Sequence, residues 1–445
     1  MVQTVVLCFL LVVFNTIPTL SQSAKKDSLT SFKDKIKTGW NVGAFPAIGY
    51  AFDQGYTYGG LANFYYYGDG KKYPQYYHSI YVEWSRTTFG GGITQYKYDS
   101  KYLIPHIRVI SEGGLYTEQA LGFYGFNGYN APYNSAYEDK NNLILHGSPD
   151  YYRYQRSLLR FTADLQGFIT DRHFRWVLGY NFLKFKIATV DITKQNKGKS
   201  ENDKIPEVPI LYDKYVLWGF IPENQKNGGV VNIIKSGIVY DTRDNEPNPF
   251  KGMWTEVLLL LAPSSLGNKS AFTKFVFTHR QYFTLKRDVL SLAGRICYQA
   301  KIGGTVPFYL EPVLFSTSSI RDGIGGSKTV RGILRNRIVG EDILFGNLEL
   351  RYKVFKTFLF NQNFYAALTG FTDVGRVTGK YKLTAINADA EAYLKQGQAE
   401  NWHQSVGFGM YCAMNQNFIA AINYGFAIDK RDGNSGMYIN LDFLF

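Results

Sequence analysis

Along most of this chain, apolar and polar side chains trade places at every second position, the period of a β-strand. The C-terminal stretch is the cleanest case. Met437, Ile439, Leu441, Phe443 and Phe445 share an apolar face, while Tyr438, Asn440 and Asp442 share the other. Upstream, Phe418, Ala420, Ile422, Tyr424 and Phe426 oppose Ala421, Asn423 and Gly425. Val406, Phe408, Met410 and Cys412 oppose Ser405, Gly407 and Gly409; Leu290, Leu292, Ile296 and Tyr298 oppose Ser291, Arg295, Gln299 and Lys301. Strand-like segments begin near Trp40 and continue to the end, broken by turns such as Asp69-Gly70, Asp241 to Pro249 and Arg431 to Ser435. About ten residues suffice for a tilted strand to cross a bilayer. The pattern predicts an all-β protein. Charges inside strands of this length favour a transmembrane antiparallel β-barrel over a soluble sandwich.

The stretch around Glu349 shows which face would meet lipid. Leu344, Gly346, Leu348, Leu350, Tyr352 and Val354 lie on one side, and Phe345, Asn347, Glu349, Arg351 and Lys353 on the other. A basic side chain facing lipid at mid-depth of a barrel wall costs about 2–4 kcal/mol. The charged face therefore points into the lumen. By the same reasoning Asp373 faces inward with Thr369 and Phe371, while Leu368 and Val374 face out.

Residues 4 to 14 are almost wholly apolar and are followed by a small and polar stretch, the pattern of a secretory signal peptide. The expected division is a signal peptide over residues 1–22, a short charged periplasmic stub over 23–38 and a barrel over 39–445. No other apolar run is long enough for a transmembrane helix. The mean hydropathy of −0.20 is that of a soluble protein, but strands that show every second residue to water escape such a scan.

Aromatic residues make up 17% of the chain, including 35 Tyr and 33 Phe, which suits girdles at two membrane interfaces. Of the 3 Cys, Cys8 falls in the signal region. Cys297 and Cys412 stand apart from each other and from any His at ligand spacing, so neither a metal site nor a disulfide framework is expected. The net charge of +13 would suggest nucleic acid in a soluble protein. Here the basic residues alternate with apolar ones or sit in loops such as Lys194 to Lys204, which fits a positive lumen and loops facing anionic outer-leaflet lipid.

The candidate chemistry centres on Gly323 to Ile333. Arg331 sits in Val330-Arg331-Gly332-Ile333, just after Gly325-Gly326, so a flexible loop presents one cation. Glu349 and Asp373 lie on later strands that read as membrane-spanning. An arginine fork can hold two carboxylates. Alternatively, Arg331 is solvated and Glu349 pairs locally with Arg351 or Lys353. The segment Gly323 to Thr329 is not a phosphate-binding loop, because Ser327 separates the glycines from Lys328 and a strand pattern follows. No GxSxG elbow exists and the six His are scattered, so no enzyme is expected and no cofactor is implied.

Several motifs, in order, resemble the BamA/TamA family of outer-membrane assembly and secretion barrels, the bacterial surface antigen family. Phe45 to Tyr50 looks like its opening strand. Phe123-Tyr124-Gly125-Phe126-Asn127 is similar to a recurring segment. Asp241-Thr242-Arg243-Asp244-Asn245 resembles its strand-and-turn element. The VRG tripeptide, Leu348-Glu349 and Phe371-Thr372-Asp373-Val374-Gly375 follow in the family's order, and the chain ends on Phe445. The resemblance implies a barrel of 16 strands with an inward-folded loop plugging the lumen, and Arg331 docked on Glu349 and Asp373. It also implies a lateral seam between residues 40–53 and 437–445, with Phe443 and Phe445 in a C-terminal signal. The stub leaves no room for the family's periplasmic repeat domains, each on the order of 75 residues, about half a typical domain.

The expected function is outer-membrane protein assembly, insertion or translocation in the bacterial outer membrane. Expected partners are membrane lipid, client outer-membrane proteins and a periplasmic or lipoprotein partner. The alternative is a stand-alone or plugged channel for anionic solutes.

Overall fold

A computed structural model describes residues 36–445 apart from 52–53, 74–75, 143, 146, 172, 247, 318–319, 360–361, 415–417 and 442–444. The expected signal peptide, most of the stub, and Phe443 lie outside the described residues. The compact unit runs from Thr38 to Phe445.

It is a closed antiparallel barrel of sixteen strands. The first, β1, comes in two pieces, Trp40–Pro46 and Gly49–Ala51, both paired with β2 (Gly55–Tyr66). Pro46 has no N–H to continue the ladder. Beyond it Ala47 faces inward, its N–H donating to the Gly59 carbonyl of β2 at 3.0 Å, and Ile48 faces outward before the ladder resumes. The wall continues with β3 (His78–Thr87), β4 (Gly92–Ile104), β5 (Ile107–Gly122), β6 (Arg153–Phe168), β7 (Phe174–Ala188) and β8 (Gly228–Asp241). Then come β9 (Gly252–Ala262), β10 (Phe272–Lys286), β11 (Leu290–Gly304), β12 (Asp342–Leu359) and β13 (Gln362–Gly379). Finally β14 (His403–Met414), β15 (Phe418–Ala427) and β16 (Ser435–Leu441) bring the sheet back to β1.

Burial is inverted relative to a water-soluble core. On β12, Leu348, Leu350, Tyr352 and Val354 are exposed, while Asn347, Glu349 and Arg351 are buried. The same parity puts Val406, Phe408 and Met410 of β14 outside and Ser405 inside, and Ile422 of β15 outside with Asn423 inside. An outer surface this apolar is stable when its solvent is hydrocarbon, and closure leaves no open sheet edge for lipid to meet.

In an up-and-down barrel, alternate connections emerge at the same end. The long ones, 123–152, 189–227, 305–341 and 380–402, all lie at one end, and most turns at the other are short. The long connections are not simply solvated loops. They hold three short helices: α1 (Ile192–Asn196), α2 (Leu211–Leu217) and α3 (Ala388–Gln396). In α3, Asn387 caps the N-terminus by accepting from the Ala390 N–H (2.9 Å). Tyr124, Tyr152, Tyr215, Phe220 and Tyr393 pack there into an apolar core with inward-facing Leu183, Leu258 and Leu260. Girdles therefore account for only part of the aromatic content.

Candidate functional site

Three of the long-range predictions meet at one point. Arg331 is 1% exposed, and Glu349 and Asp373 are 0% exposed. Burial this complete requires the charges to be matched. Arg331 Nε and Nη2 donate to Asp373 Oδ2 and Oδ1 at 2.8 and 2.9 Å, and the Arg331 main-chain N–H donates to Oδ2 at 3.0 Å. Its Nη1 donates to Glu349 Oε1 at 2.6 Å. The guanidinium carbon lies 3.4 Å from the centroid of the Phe371 ring, which floors the site. Glu349 is shared: Arg351 Nε and Nη2 donate to its Oε2 at 2.9 and 2.7 Å. The local pairing and the loop pairing weighed as alternatives both exist, one on each carboxylate oxygen.

The loop backbone explains why glycine flanks the arginine. Gly332 has φ +89°, a left-handed conformation, and its N–H donates to Tyr438 Oη of β16 at 3.0 Å. A Cβ there would lie 2.6 Å from the Gly425 carbonyl carbon, so the loop touches β15 backbone to backbone. Gly325 and Gly326 also have positive φ. The Gly326 N–H closes onto the Ile333 carbonyl at 2.9 Å, and Thr329 Oγ1 accepts from the Gly325 N–H at 2.9 Å. Val330 and Ile333 anchor the turn in an apolar cluster with Ile324, Ile338, Phe345 and Val377.

The other predicted residues lie elsewhere. Asp241, Arg243 and Asp244 sit at the opposite end, in the β8–β9 turn. Arg243 forks onto Asp241 with two bonds of 2.9 Å, and Asp244 Oδ1 accepts from the Phe250 N–H at 2.9 Å. They shape a turn and take no part in the Arg331 cluster. The sequence puts Phe445 on the apolar outer face of the last strand, and the structure corrects this. Phe445 is buried against Tyr282 and Ala293. Its ring lies 4.9 and 5.3 Å from the guanidinium carbons of Arg295 and Arg351, and its main-chain O accepts from Arg351 Nη2 at 3.3 Å. Two guanidinium groups over its ring and a bond from Arg351 to the oxygen of this last residue hold it on the inner side.

Sequence reasoning missed two further attachments of the 305–341 segment. On β5 and β6, Glu118 and Arg156 form a ring of alternating charges with Asp322 and Arg335 of the segment; Arg156 Nη1 meets Asp322 Oδ1 at 2.7 Å. Burial pushes the Asp322 carboxyl up, but Arg156 and Arg335 outweigh this and hold it well below the usual carboxylate range. At the loop end of the barrel, Arg337 donates to the carbonyls of Gly128, Ala131 and Arg431. Beside it, Tyr129 donates to Asp432 at 2.6 Å and stacks on His403. The inward parity of Arg156 was a readable signal for a partner, though not for which partner.

Among the described residues, no group of three or more His, Cys, Asp or Glu side chains is arranged to hold a metal ion. Residues 86–444 match the model of the Omp85 superfamily domain. No curated protein matches the chain by sequence. Among solved structures, it is similar to BamA from Haemophilus ducreyi lacking POTRA domains 1-3 (TM-score 0.51, 14% identity, 91% of this chain and 70% of that one). It is also similar to CdiB from Escherichia coli (TM-score 0.52, 10% identity, 91% of this chain and 63% of that one). At these identities the two structures speak for the fold, and the domain match, spanning most of the chain, places this protein in the Omp85 superfamily.

Proposed function

We propose that this chain is an integral protein of the bacterial outer membrane that inserts or translocates other proteins, using the seam between β16 and β1 as the exit into lipid. The observation that carries this reading is the closure itself. Among the described residues, β16 meets β1 only through Tyr438 opposite Ala51 and Ile439 opposite Tyr50. The next junction, β15–β16, runs unbroken from Ala420–Leu441 to Phe426–Ser435. A junction with so few ladder bonds is the cheapest to part, and the strand edges it would expose are templates for an incoming strand. The 305–341 segment occludes the lumen, held by Arg331, so traffic is directed sideways. Capture of clients falls to a periplasmic or lipoprotein partner.

A cross-link tests this. Tyr50→Cys and Ile439→Cys, in a Cys412→Ser background, put two thiols at opposed positions of the seam, the separation a disulfide needs. In liposomes, the oxidised barrel should lose insertion of a client barrel into protease-protected form, and reduction should restore it. Equal activity before and after reduction would refute a seam route.

The second reading, a channel for anions, draws on the buried inward arginines 156, 280, 295 and 351. Planar-bilayer currents separate the two. Steady anion-selective current from the intact chain favours the channel; current only after deletion of 323–335 favours the plugged assembly barrel.

A further inference from the structure

On the outer wall, strand register lines up two rows of side chains across β3 to β7, toward the end that carries the long connections. One row runs Arg86, Gly92, Thr117, Ser157, Lys186. The other, two residues further into the wall on every strand, runs Trp84, Thr94, Leu115, Leu159, Lys184. The intervening Ser85 and Arg160 are buried, so both rows lie on the outer side. Lys184 and Lys186 are exposed, and neither makes an ion pair among the described residues. Their neighbours across the other ladder, Val230 and Gly228 of β8, are neutral. Arg86 is half-buried, with its guanidinium carbon 4.8 Å from the Trp84 ring. Its Nη1 donates to the Ser85 and Ile93 carbonyls (2.8 and 3.3 Å) and to Thr94 Oγ1 (3.5 Å), all uncharged. No carboxylate stands in either row.

Beneath these cations the wall is hollow. A groove of about 1070 Å³, as large as the largest clefts that hold small molecules, spans β1 to β6. Trp84, Tyr96, Leu115, Leu159 and Phe161 line it, each at least 38% exposed. At Gly60, also in its lining, a Cβ would meet nothing within 4 Å. Trp84, Leu115 and Leu159 belong to the groove and to the second row alike, so the cations stand along its rim. A basic side chain facing outward is costly at mid-depth of a membrane, and that cost falls away at the interface. The row from Arg86 to Lys186 therefore marks the level at which hydrocarbon gives way to headgroups. An apolar hollow under unpaired cations matches a lipid whose headgroup is an anion.

We propose that this face of β1 to β7 is a docking surface for a phosphate-bearing lipid of the leaflet at the long-connection end. The acyl chains lie in the groove. The row offers the phosphate two anchors, Arg86 at one end and the pair Lys184 and Lys186 at the other, with the hydroxyls of Thr117 and Ser157 between them. The two ends are four strand spacings apart, about 19 Å along the sheet. A lipid with one phosphate meets one end, and a lipid with several bridges both. The proposal rests on the wall facing lipid and not on traffic through the seam, so it stands or falls separately from the seam experiment.

The test uses the full chain folded in uncharged detergent containing a small mole fraction of brominated-acyl phosphatidic acid or of the matching brominated diacylglycerol. The readout is quenching of Trp84 fluorescence, taken as the difference between the parent and Trp84→Phe. Phosphatidic acid should quench saturably, with its half-point at a mole fraction at least about fivefold below that of the diacylglycerol. High salt should narrow this preference. Lys184→Gln with Lys186→Gln should narrow it, Arg86→Gln should narrow it, and the three together should abolish it. Lys286→Gln with Arg287→Gln removes two exposed cations from the opposite end of the barrel and should leave it unchanged. Gly60→Leu fills the groove and should weaken both lipids alike. Inorganic phosphate at matched ionic strength should not displace the lipid; displacement would assign the cations to the free anion and overturn the proposal. Saturable quenching without a phosphate preference would assign the groove to neutral acyl chains, and shielding of Trp84 within a dimer would assign it to a second copy. Either result, a preference that survives in the triple variant, or no saturable quenching in the parent overturns the proposal.

Discussion

Removing the arginine of the loop should hurt mainly through what it leaves behind. Arg331→Ala deletes two side-chain bonds to Asp373 and one to Glu349. Glu349 keeps Arg351 on its other oxygen. Among the described residues, Asp373 keeps only the main-chain N–H at position 331. The variant therefore strands one fully buried carboxylate, and breaking a buried pair in this way costs about 3–5 kcal/mol. The asymmetry dictates the double mutants. Arg331→Ala with Asp373→Ala should be more stable than Arg331→Ala alone, because the orphaned charge has gone; the coupling should be about 1–3 kcal/mol. Arg331→Ala with Glu349→Ala should be less stable than Arg331→Ala alone, because it also removes the carboxylate onto which Arg351 forks. Asp373→Asn and Glu349→Gln should each cost less than Arg331→Ala. The assay is the temperature at which the fast-migrating folded band is lost in a denaturing gel. Equal midpoints for parent and Arg331→Ala would refute the clamp. A larger rescue by Glu349→Ala than by Asp373→Ala would refute the charge accounting even if the clamp survived.

Gly332→Ala should loosen the loop nearly as much as losing the arginine, since its Cβ has no room against Gly425 and the φ is left-handed; the same gel reads it, and an unchanged midpoint would mean that the close approach is absent. Tyr438→Phe removes the acceptor of the Gly332 N–H and should cost about 1 kcal/mol, with no loss counting against that contact. Asp322 gives a pH dependence of known sign. Its carboxyl is held below the usual range in the native state, so its contribution is complete above about pH 4 and is lost as pH falls through the native value. Conductance through the intact barrel should therefore stay low at pH 5 and rise only in stronger acid, whereas Asp322→Asn should conduct at pH 7; a rise between pH 7 and 5 in the parent would contradict this origin.

The wall was legible because lipid imposes one rule on every strand. Leu348 out and Glu349 in follows from period two and the cost of a charge in hydrocarbon, with no knowledge of the partner strand. The Arg331 cluster was legible by a different route: inward parity marked Glu349 and Asp373, and the resemblance paired them with an arginine that no periodicity could have placed. What parity cannot give is reach. Arg156 alternates inward on β6, yet its partner Asp322 is 166 residues away on a connection without a period. The same limit hid the aromatic core of the long connections. Tyr124, Tyr152, Tyr215 and Tyr393 follow no strand spacing, so only assembly shows that they bury one another.

The two kinds of legibility meet at the seam. Phe45-Pro46-Ala47-Ile48 reads as one strand by composition, and β1 does run along β2 on both sides of the break. Pro46 nevertheless removes a donor where a continuous ladder would need one, and only Tyr50 and Ala51 are paired with β16 among the described residues. On its inner side β16 is tied to the 305–341 segment, since Tyr438 carries both a seam pairing and the Gly332 N–H. The loop and the seam thus share a residue. Freeing the loop by Arg331→Ala should lower the force needed to part the seam, and the Tyr50→Cys/Ile439→Cys pair can report it. Oxidation should protect the folded band more in the Arg331→Ala background than in the parent. Equal protection in both backgrounds would mean that the loop braces the wall at β12 and β13 without bearing on the gate.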